Sequence, residues 1–369
     1  MRGKQPKRAT LKDIAEKAGV SSTAVSLVLN NKPNRFTEET REHIRSIARE
    51  LQYVPNQSAR SLATQSSSLL ALIIPDIENL FFASLAKHME DECKKQGYSL
   101  LIVDTGEDVH EQSSALRRMI QLGIDGLFIV PSFGSAQYNA QLLDELSTTG
   151  IPVVFIDRIP EKLQSEASDI HMPEDAESSR VVRTQWRGLA YNHRVGGRLA
   201  ARHLIEAGHT HIGVIGPVSH RASDKGDNSA RFEAFLEDLD AHGIVPDTSC
   251  IIDGNFSLSV GYNHADALIR AGVTAVFCGN DLIAVGFLRR AREQGYAVPG
   301  DISLIGYDDV MGAFGLDFEF TTIRQDVAEL ARQSCKMMLD KNYDVQQQGS
   351  VVLLEPQLHV RHSVAQLGD

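Results

Sequence analysis

Polar side chains recur at one kind of position in this sequence, directly after a short apolar run. Asp76 follows Leu69 to Pro75, and Asp104 follows Ser99 to Val103. The pair Asp157-Arg158 follows Pro152 to Ile156, Asn280-Asp281 follows Ala275 to Cys278, and Asp308-Asp309 comes just beyond Ile302 to Ile305. Carboxylates and an amide accept hydrogen bonds from hydroxyl groups, so such a set suits a polar small molecule bound without covalent chemistry. Asp157 with Asp309 could also be a glycosidase pair, although scattered cleft carboxylates bind sugars more often than they cleave them. Other catalytic signatures fail. Gly213-Val214-Ile215-Gly216 lacks the G-x-G-x-x-G phosphate cradle and no G-x-S-x-G elbow occurs. His209-Thr210-His211 has no second pair of metal ligands, and Cys93, Cys250, Cys278 and Cys335 are too scattered for a disulfide frame or a C-x-x-C site. No enzyme activity, cofactor or metal is expected.

The apolar runs must be the elements that position these groups. From Leu69 onward they alternate with amphipathic segments, which is the rhythm of βαβ units. After an irregular stretch it resumes with His211 to Ile215, Cys250 to Asp253, Ala275 to Cys278 and Ile302 to Ile305. Two open parallel sheets follow, and ligands of such sheets bind beyond the carboxyl ends of the strands. A cleft between two similar halves is the expectation. Pro160 to Tyr191 between them is polar and reads as an irregular insertion; its Trp186 could face a partner or anchor a loop to the core.

A second candidate surface lies at the N-terminus, where charge sets it apart. The chain of 369 residues carries a net charge of −11, yet residues 1–66 hold 12 Lys and Arg against 6 Asp and Glu, a balance of +6 that leaves −17 for 67–369. A basic head on an acidic body fits a polyanion-binding module. Thr10 and Asp13 have capping-box spacing ahead of Leu11, Ile14, Ala15 and Ala18, and Gly19 ends that helix. Ser21 can cap a second helix buried through Ala24, Val25, Val28 and Leu29, and Thr37 a third through Ile44, Ile47, Ala48 and Leu51. Asn56 can cap a short helix over 57–63. That helix is too short to be stable alone, and the polar run at 64–68 allows a plain linker instead.

Thr10-Leu11-Lys12-Asp13-Ile14-Ala15, Ala18-Gly19-Val20-Ser21 and Val25-Ser26-Leu27-Val28-Leu29-Asn30 resemble the head of the LacI/GalR family of bacterial repressors. Tyr53-Val54-Pro55-Asn56 with Ala59-Arg60-Ser61-Leu62 resembles its hinge, Gly306-Tyr307-Asp308-Asp309 its signature turn, and Thr321-Thr322-Ile323-Arg324-Gln325 its crossover. The resemblance implies an all-α helix-turn-helix DNA-binding head (1–55), a hinge helix and linker (56–68), and an α/β core (69–369) of two subdomains like a periplasmic binding protein. It places Ser22, Thr23 and Leu27 against base edges in the major groove. With them it makes Thr10, Ser21, Ser26, Asn30, Tyr53, Asn56, Ala59, Arg60 and Leu62 DNA-facing positions. Serine and threonine bond several base edges, and Leu27, where many relatives carry arginine, can touch a thymine methyl or fill space against the third helix. Phosphates would be met by Arg2, Lys4, Lys7, Arg8, Lys32 and Arg35. Leu62 would wedge into the minor groove.

In the core the resemblance implies an effector site of Asp76, Phe81, Asp157, Arg158, Arg231, Phe256, Asn280 and Asp309. Arg231 matches the arginine of the family's R-x-x-G-F stretch, although Ala234 replaces the glycine, and Phe256 matches a ring-stacking aromatic. Phe256 could instead be core, Asp281 a helix cap, and Asp308 reads better as a turn residue than as a ligand. Asn79-Leu80-Phe81-Phe82 departs from the usual Asn-Pro-Phe-Phe. An aromatic platform among hydrogen-bond acceptors suits a carbohydrate. The expected partners are a pseudo-palindromic double-stranded DNA operator, a small effector, most simply a sugar, and a second copy of the chain. No apolar run approaches the roughly 20 residues that span a bilayer, and a cytoplasmic location without membrane contact is expected. The competing readings are a cytoplasmic sugar-binding protein and a glycosidase-type enzyme.

Overall fold

In the computed structural model the described residues are all but 1–8, 31, 54–65, 135, 161–162, 164–185, 219–229, 316–319, 341–350 and 368–369. The chain divides into two compact units, Met1–Ser67 and Ser68–Asp369. The hinge reading over 56–63 and most of the polar insertion lie outside the described residues.

The first unit is built on α1 (Leu11–Ala18), α2 (Ser22–Leu29) and α3 (Glu38–Glu50). Each begins where a hydroxyl takes up an otherwise unpaired backbone N–H. Thr10 accepts from the Asp13 N–H while the Asp13 carboxylate accepts from the Thr10 N–H at 2.7 Å, a complete capping box. Ser21 accepts from Ala24 at 3.1 Å and Thr37 from Thr40 at 3.3 Å. Gly19 ends α1 at φ +65°, a left-handed conformation that costs glycine little. Ile14, Val25, Val28, Ile44 and Ile47 close one small core at the spacings read from the sequence.

The second unit holds two six-stranded sheets. The first half contains β1 (Leu69–Ile74), α4 (Leu80–Lys95), β2 (Ser99–Asp104), α5 (Val109–Gln121), β3 (Gly126–Ile129), α6 (Ala136–Ser147), β4 (Val153–Ile156) and β5 (Trp186–Tyr191). The second contains α7 (His193–Glu206), β6 (Ile212–Gly216), α8 (Ala230–Ala241), β7 (Ile251–Asp253), α9 (Leu258–Arg270), β8 (Ala275–Cys278), α10 (Asp281–Glu293), β9 (Ser303–Asp308) and β10 (Thr321–Arg324). The chain then returns through α11 (Val327–Leu339) and β11 (Val351–Leu354) to the first half and ends with β12 (Gln357–His359) in the second. The first sheet runs β11-β5-β4-β3-β1-β2, all parallel. The second runs β12-β10-β9-β8-β6-β7, with only β12 antiparallel. Central strands such as Val153–Ile156 and Ala275–Cys278 are buried throughout because helices cover both faces, hence their unbroken apolar runs.

The sequence reading missed four strands, and each miss has a cause. Trp186–Tyr191, inside the supposed irregular insertion, is β5, with Leu189, Ala190 and Tyr191 buried and Trp186 packed on the first-half core. β10, β11 and β12 are three or four residues long and gain their identity from the strands beside them. The crossings between the halves are tied together: the Tyr191 hydroxyl donates to the Asp326 carbonyl at 3.1 Å, and the Asn192 N–H to the Leu354 carbonyl at 2.8 Å. α7 and α8 touch backbone to backbone, since a Cβ on Gly197 would sit 2.0 Å from the Arg231 carbonyl oxygen. That closeness fixes the start of α8, where Arg231 emerges.

Candidate functional site

On the head, Ser22 and Thr23 are exposed at the start of α2, and Ser26 and Leu27 are half-buried one turn on. Leu27 stands apart from the side chains that pack on the head core. Asn30 is exposed, with its amide donating to the Ser26 carbonyl at 2.8 Å. The hydroxyls of Thr10 and Ser21 are occupied by capping, so these two residues hold helix ends in place rather than offering free side chains. Tyr53 packs against the head core, and Asn56, Ala59, Arg60 and Leu62 lie outside the described residues. α2 carries no charged residue, whereas the arginines of α3 fold back onto their own helix: Arg41 on Glu38 at 2.9 Å, Arg45 on Glu38 at 3.4 Å, and Arg49 on Glu42. The exposed face of α2 is short and neutral.

In the core, the strand ends converge on a buried polar cluster. Asp157 follows β4 and Asp308 ends β9, both at positive φ (64° and 107°), as is Asp309 (59°). Such backbone strain, of order 1–3 kcal/mol per residue, persists where the surroundings dictate the conformation, commonly at a functional site. His193 opens α7 with its ring 3.0 Å (Nδ1) from the Tyr307 hydroxyl and 3.2 Å from the Arg231 guanidinium. A guanidinium only donates, so Nδ1 accepts and the ring proton sits on Nε2, which faces the Asp157 carboxylate at 3.5 Å. Burial, with Arg231 and Arg158 adding to it, lowers the His193 pKa and keeps the imidazole neutral. Burial alone would raise Asp157, but the bond to His193 and the two nearby guanidiniums hold it below the ordinary carboxylate value. Asp308 is pushed well above that value by burial, against the pull of Arg231.

The two arginines are held as plates. Arg231 donates to the Gly279 carbonyl at 2.6 Å and lies 3.9 Å from the centre of the Tyr307 ring, with Phe256 at 5.4 Å. Arg158 lies 3.7 Å from the Phe133 ring and donates to Glu107 at 2.5 Å and the Pro131 carbonyl at 2.9 Å. Phe133 of the first half and Phe256 of the second face each other at 6.4 Å, inclined by 28°. Asn280 caps α10 through Ile283 at 2.9 Å and holds Phe256 by donating to its carbonyl at 3.1 Å. The deep end of the cleft leaves about 20 Å³ among Phe81, Asp157, Arg231, Asn280, Asp308 and Gln325. That is room for one water. An outer cavity of about 950 Å³ has Asp76, Glu107, Phe133, Arg158, Asp253 and Phe256 on its wall.

Seven of the eight effector positions read from the sequence therefore line one cleft. Asp309 does not. Its carboxylate is paired with Arg361 at 2.6 Å and His359 at 2.9 Å beside β12, and Asp308 faces the cleft in its place. Consecutive residues at a strand end point to opposite faces, so an error of one position reverses the side chain. Asp281 lies beneath the site, accepting from the Val310 N–H and the Thr322 hydroxyl, and burial raises its pKa to about 7. Sequence reasoning passed over His193, Glu107, Phe133 and Gln325. Only Gln325 had left a signal, as the last residue of the crossover stretch. His209 is structural, bonded to Thr274 and the Ala365 carbonyl, and no group of three or more metal-ligand side chains occurs among the described residues. No helix among them is long and apolar enough to cross a membrane.

Residues 10–56 match the family described as bacterial regulatory proteins, lacI family, and residues 201–364 match the periplasmic binding protein-like domain. The HTH-type transcriptional repressor PurR of Pectobacterium carotovorum subsp. carotovorum (strain PC1) is 32% identical over 360 residues, which is 97% of either chain. Among solved structures, the Lac repressor dimer bound to operator and the anti-inducer ONPF is similar with a TM-score of 0.78 at 25% identity, covering 97% of this chain and all of that one. A LacI family regulator from Enterococcus faecium with bound ribose has a TM-score of 0.64 at 26% identity, covering 81% of this chain and all of its own.

Proposed function

The chain belongs to the LacI family of bacterial regulatory proteins, and from that membership we propose that it is a cytoplasmic, homodimeric, sequence-specific repressor whose hold on a DNA operator is set by a carbohydrate effector in the cleft. The observation that carries this reading is the pairing, in one chain, of a head presenting a short neutral helix face with a cleft of buried polar side chains around aromatic rings. Support for DNA binding and repression comes from the relative named as a repressor and from the operator-bound dimer that the fold matches. Support for a sugar comes from the ribose-bound regulator and from hydrogen-bond acceptors beside Phe256. A flat heterocycle is the second reading, favoured by the nearly parallel Phe133 and Phe256 rings on opposite walls. A dimer supplies the contact that one small head lacks, and it predicts two half-sites related by a dyad. Selection of bound duplexes from a randomised pool, followed by footprinting, tests this directly. A pseudo-palindrome protected on both half-sites is the expected result, and a single unrepeated half-site or no selected sequence would contradict it.

A further inference from the structure

We propose that Cys93 and Cys335 form a reversible oxidation site, at which a peroxide closes a disulfide between α4 and α11 and locks the returning chain onto the first half of the core.

The two sulfurs lie 3.7 Å apart although 242 positions separate them in sequence. Both thiols are free and buried, at 0% and 4% exposure. Bond formation brings sulfurs to about 2.05 Å, so closure asks for an approach of about 1.7 Å. The second half's thiols are placed differently: Cys250 meets the Ser249 hydroxyl at 4.0 Å, and burial pushes Cys278 well above the ordinary thiol value. Cys93 sits in the last turn of α4, and Gln96 and Gly97 (φ +80°) end the helix just beyond it. Helix ends open more readily than helix centres, which gives a water-sized oxidant a route to this thiol. Glu92 and Lys95, paired at 2.5 Å on the same turn, put exposed charge beside the two sulfurs.

The Cys335 thiol donates to Cys93, which holds Cys93 below the ordinary thiol value and pushes Cys335 up, so Cys93 reacts first. Its thiolate attacks one peroxide oxygen, the O–O bond breaks, and the leaving hydroxide takes the proton that Cys93 released. Cys93 is then a sulfenic acid. The Cys335 sulfur attacks the Cys93 sulfur, the S–O bond breaks, and the departing hydroxide leaves as water with the Cys335 proton. Two thiols give up two electrons, and one peroxide becomes two waters.

The position of the bond gives it a consequence. α4 follows Asn79 and α11 follows Gln325 and Asp326, and Asn79 and Gln325 both line the deep end of the cleft. α11 carries the chain back from β10 of the second sheet to β11 of the first. A disulfide about 15 to 20 Å along the two helices from their cleft ends ties that crossing to the first half covalently.

The test treats the full, reduced chain with hydrogen peroxide under native conditions, then alkylates the remaining thiols in denaturant and maps the digest without reductant by mass spectrometry. The expected product is a peptide pair joined through Cys93 and Cys335, opened by dithiothreitol, with Cys250 and Cys278 recovered as thiols. Hydrogen exchange over residues 327–339 should slow at least about tenfold in the oxidised chain and recover on reduction. Cys93 and Cys335 recovered as thiols, as sulfinic acids or only in bonds between chains would overturn the proposal. So would exchange over 327–339 that is unchanged or faster after oxidation. Cys335→Ser, shown by circular dichroism to be folded, should stop at the Cys93 sulfenic acid and label with dimedone, whereas the parent should not; equal labelling of the two would also overturn it. If the variant does not fold, mapping of the parent decides alone. Neither effector nor operator enters these measurements, so their outcome is separate from that of the function proposed above.

Discussion

The head and the cleft present opposite kinds of surface. The head offers exposed or half-buried short side chains, Ser22, Thr23, Ser26 and Leu27, on a helix fixed by a hydroxyl cap and a seven-residue core. The cleft offers ionisable groups almost wholly withdrawn from water, Asp157, Arg158, Arg231 and Asp308, each held by partners from distant parts of the chain. Substitutions on the head face should therefore change which sequence is bound at small cost to stability. Substitutions in the cleft should cost both ligand and stability, because a buried charge that loses its partner is left uncompensated.

Arg231→Ala should give the largest effect. It removes the plate over Tyr307 and the donor to His193 and Gly279, costing on the order of 3–5 kcal/mol of core stability, and the loss of a charged donor from the cleft should lower effector affinity by up to about a hundredfold. Operator affinity without ligand should stay within a fewfold, as measured by anisotropy on a protein shown by circular dichroism to be folded. A response to effector equal to the parent's would break the contrast between the two regions.

Asp281→Asn sharpens it through pH. The folded carboxyl, raised to about 7, keeps its proton where the unfolded one, near 3.9, has lost it. The stabilisation this brings is complete below the unfolded value and lost as pH rises through 7, amounting to about 4 kcal/mol at most. An asparagine does not titrate, so the variant should gain on the parent between pH 4 and 8 in urea unfolding of the core. Parallel stability curves would show that the site beneath the cleft is wetter than its burial indicates.

These two predictions also show what the sequence could and could not disclose. The head was legible almost residue by residue, because capping, helical periodicity and a glycine stop are local signals: Thr10, Gly19, Ser21 and Thr37 each act within four residues of themselves. The strand-end carboxylates were legible as a class. Their roles were not, because they depend on which face a strand end presents and on partners far off in sequence. Asp309 meets Arg361 and His359, while Asp308 meets Gln325 and Arg231. His193 was invisible for the same reason: alone it is any histidine at a helix start, and only the return of β4 and β9 beside it brings Asp157 and Tyr307 within reach.

A smaller effect separates the two neighbours. Asp309→Ala should leave effector affinity within about threefold and lower core stability by about 1 kcal/mol, because its ion pairs with Arg361 and His359 are partly exposed. Asp308→Ala should weaken the effector at least tenfold. Equal losses would return Asp309 to the cleft. Smallest of all, Ser21→Ala should cost the head about 1 kcal/mol through the lost cap on Ala24, seen as earlier melting of residues 1–67, and leave effector binding unchanged.

Coupling between cleft and head is the central claim, and it requires the effector to bind two arrangements of the protein unequally. The most direct measurement is the affinity of the full chain for its selected operator duplex, by anisotropy, across a titration with the tightest-binding carbohydrate or heterocycle, in parent and Arg231→Ala side by side. A shift of at least about fivefold in the parent, saturating at the effector's own dissociation constant and absent in the variant, is the predicted result. An operator affinity unmoved by a ligand that calorimetry shows to be bound, or an equal shift in both proteins, would contradict it.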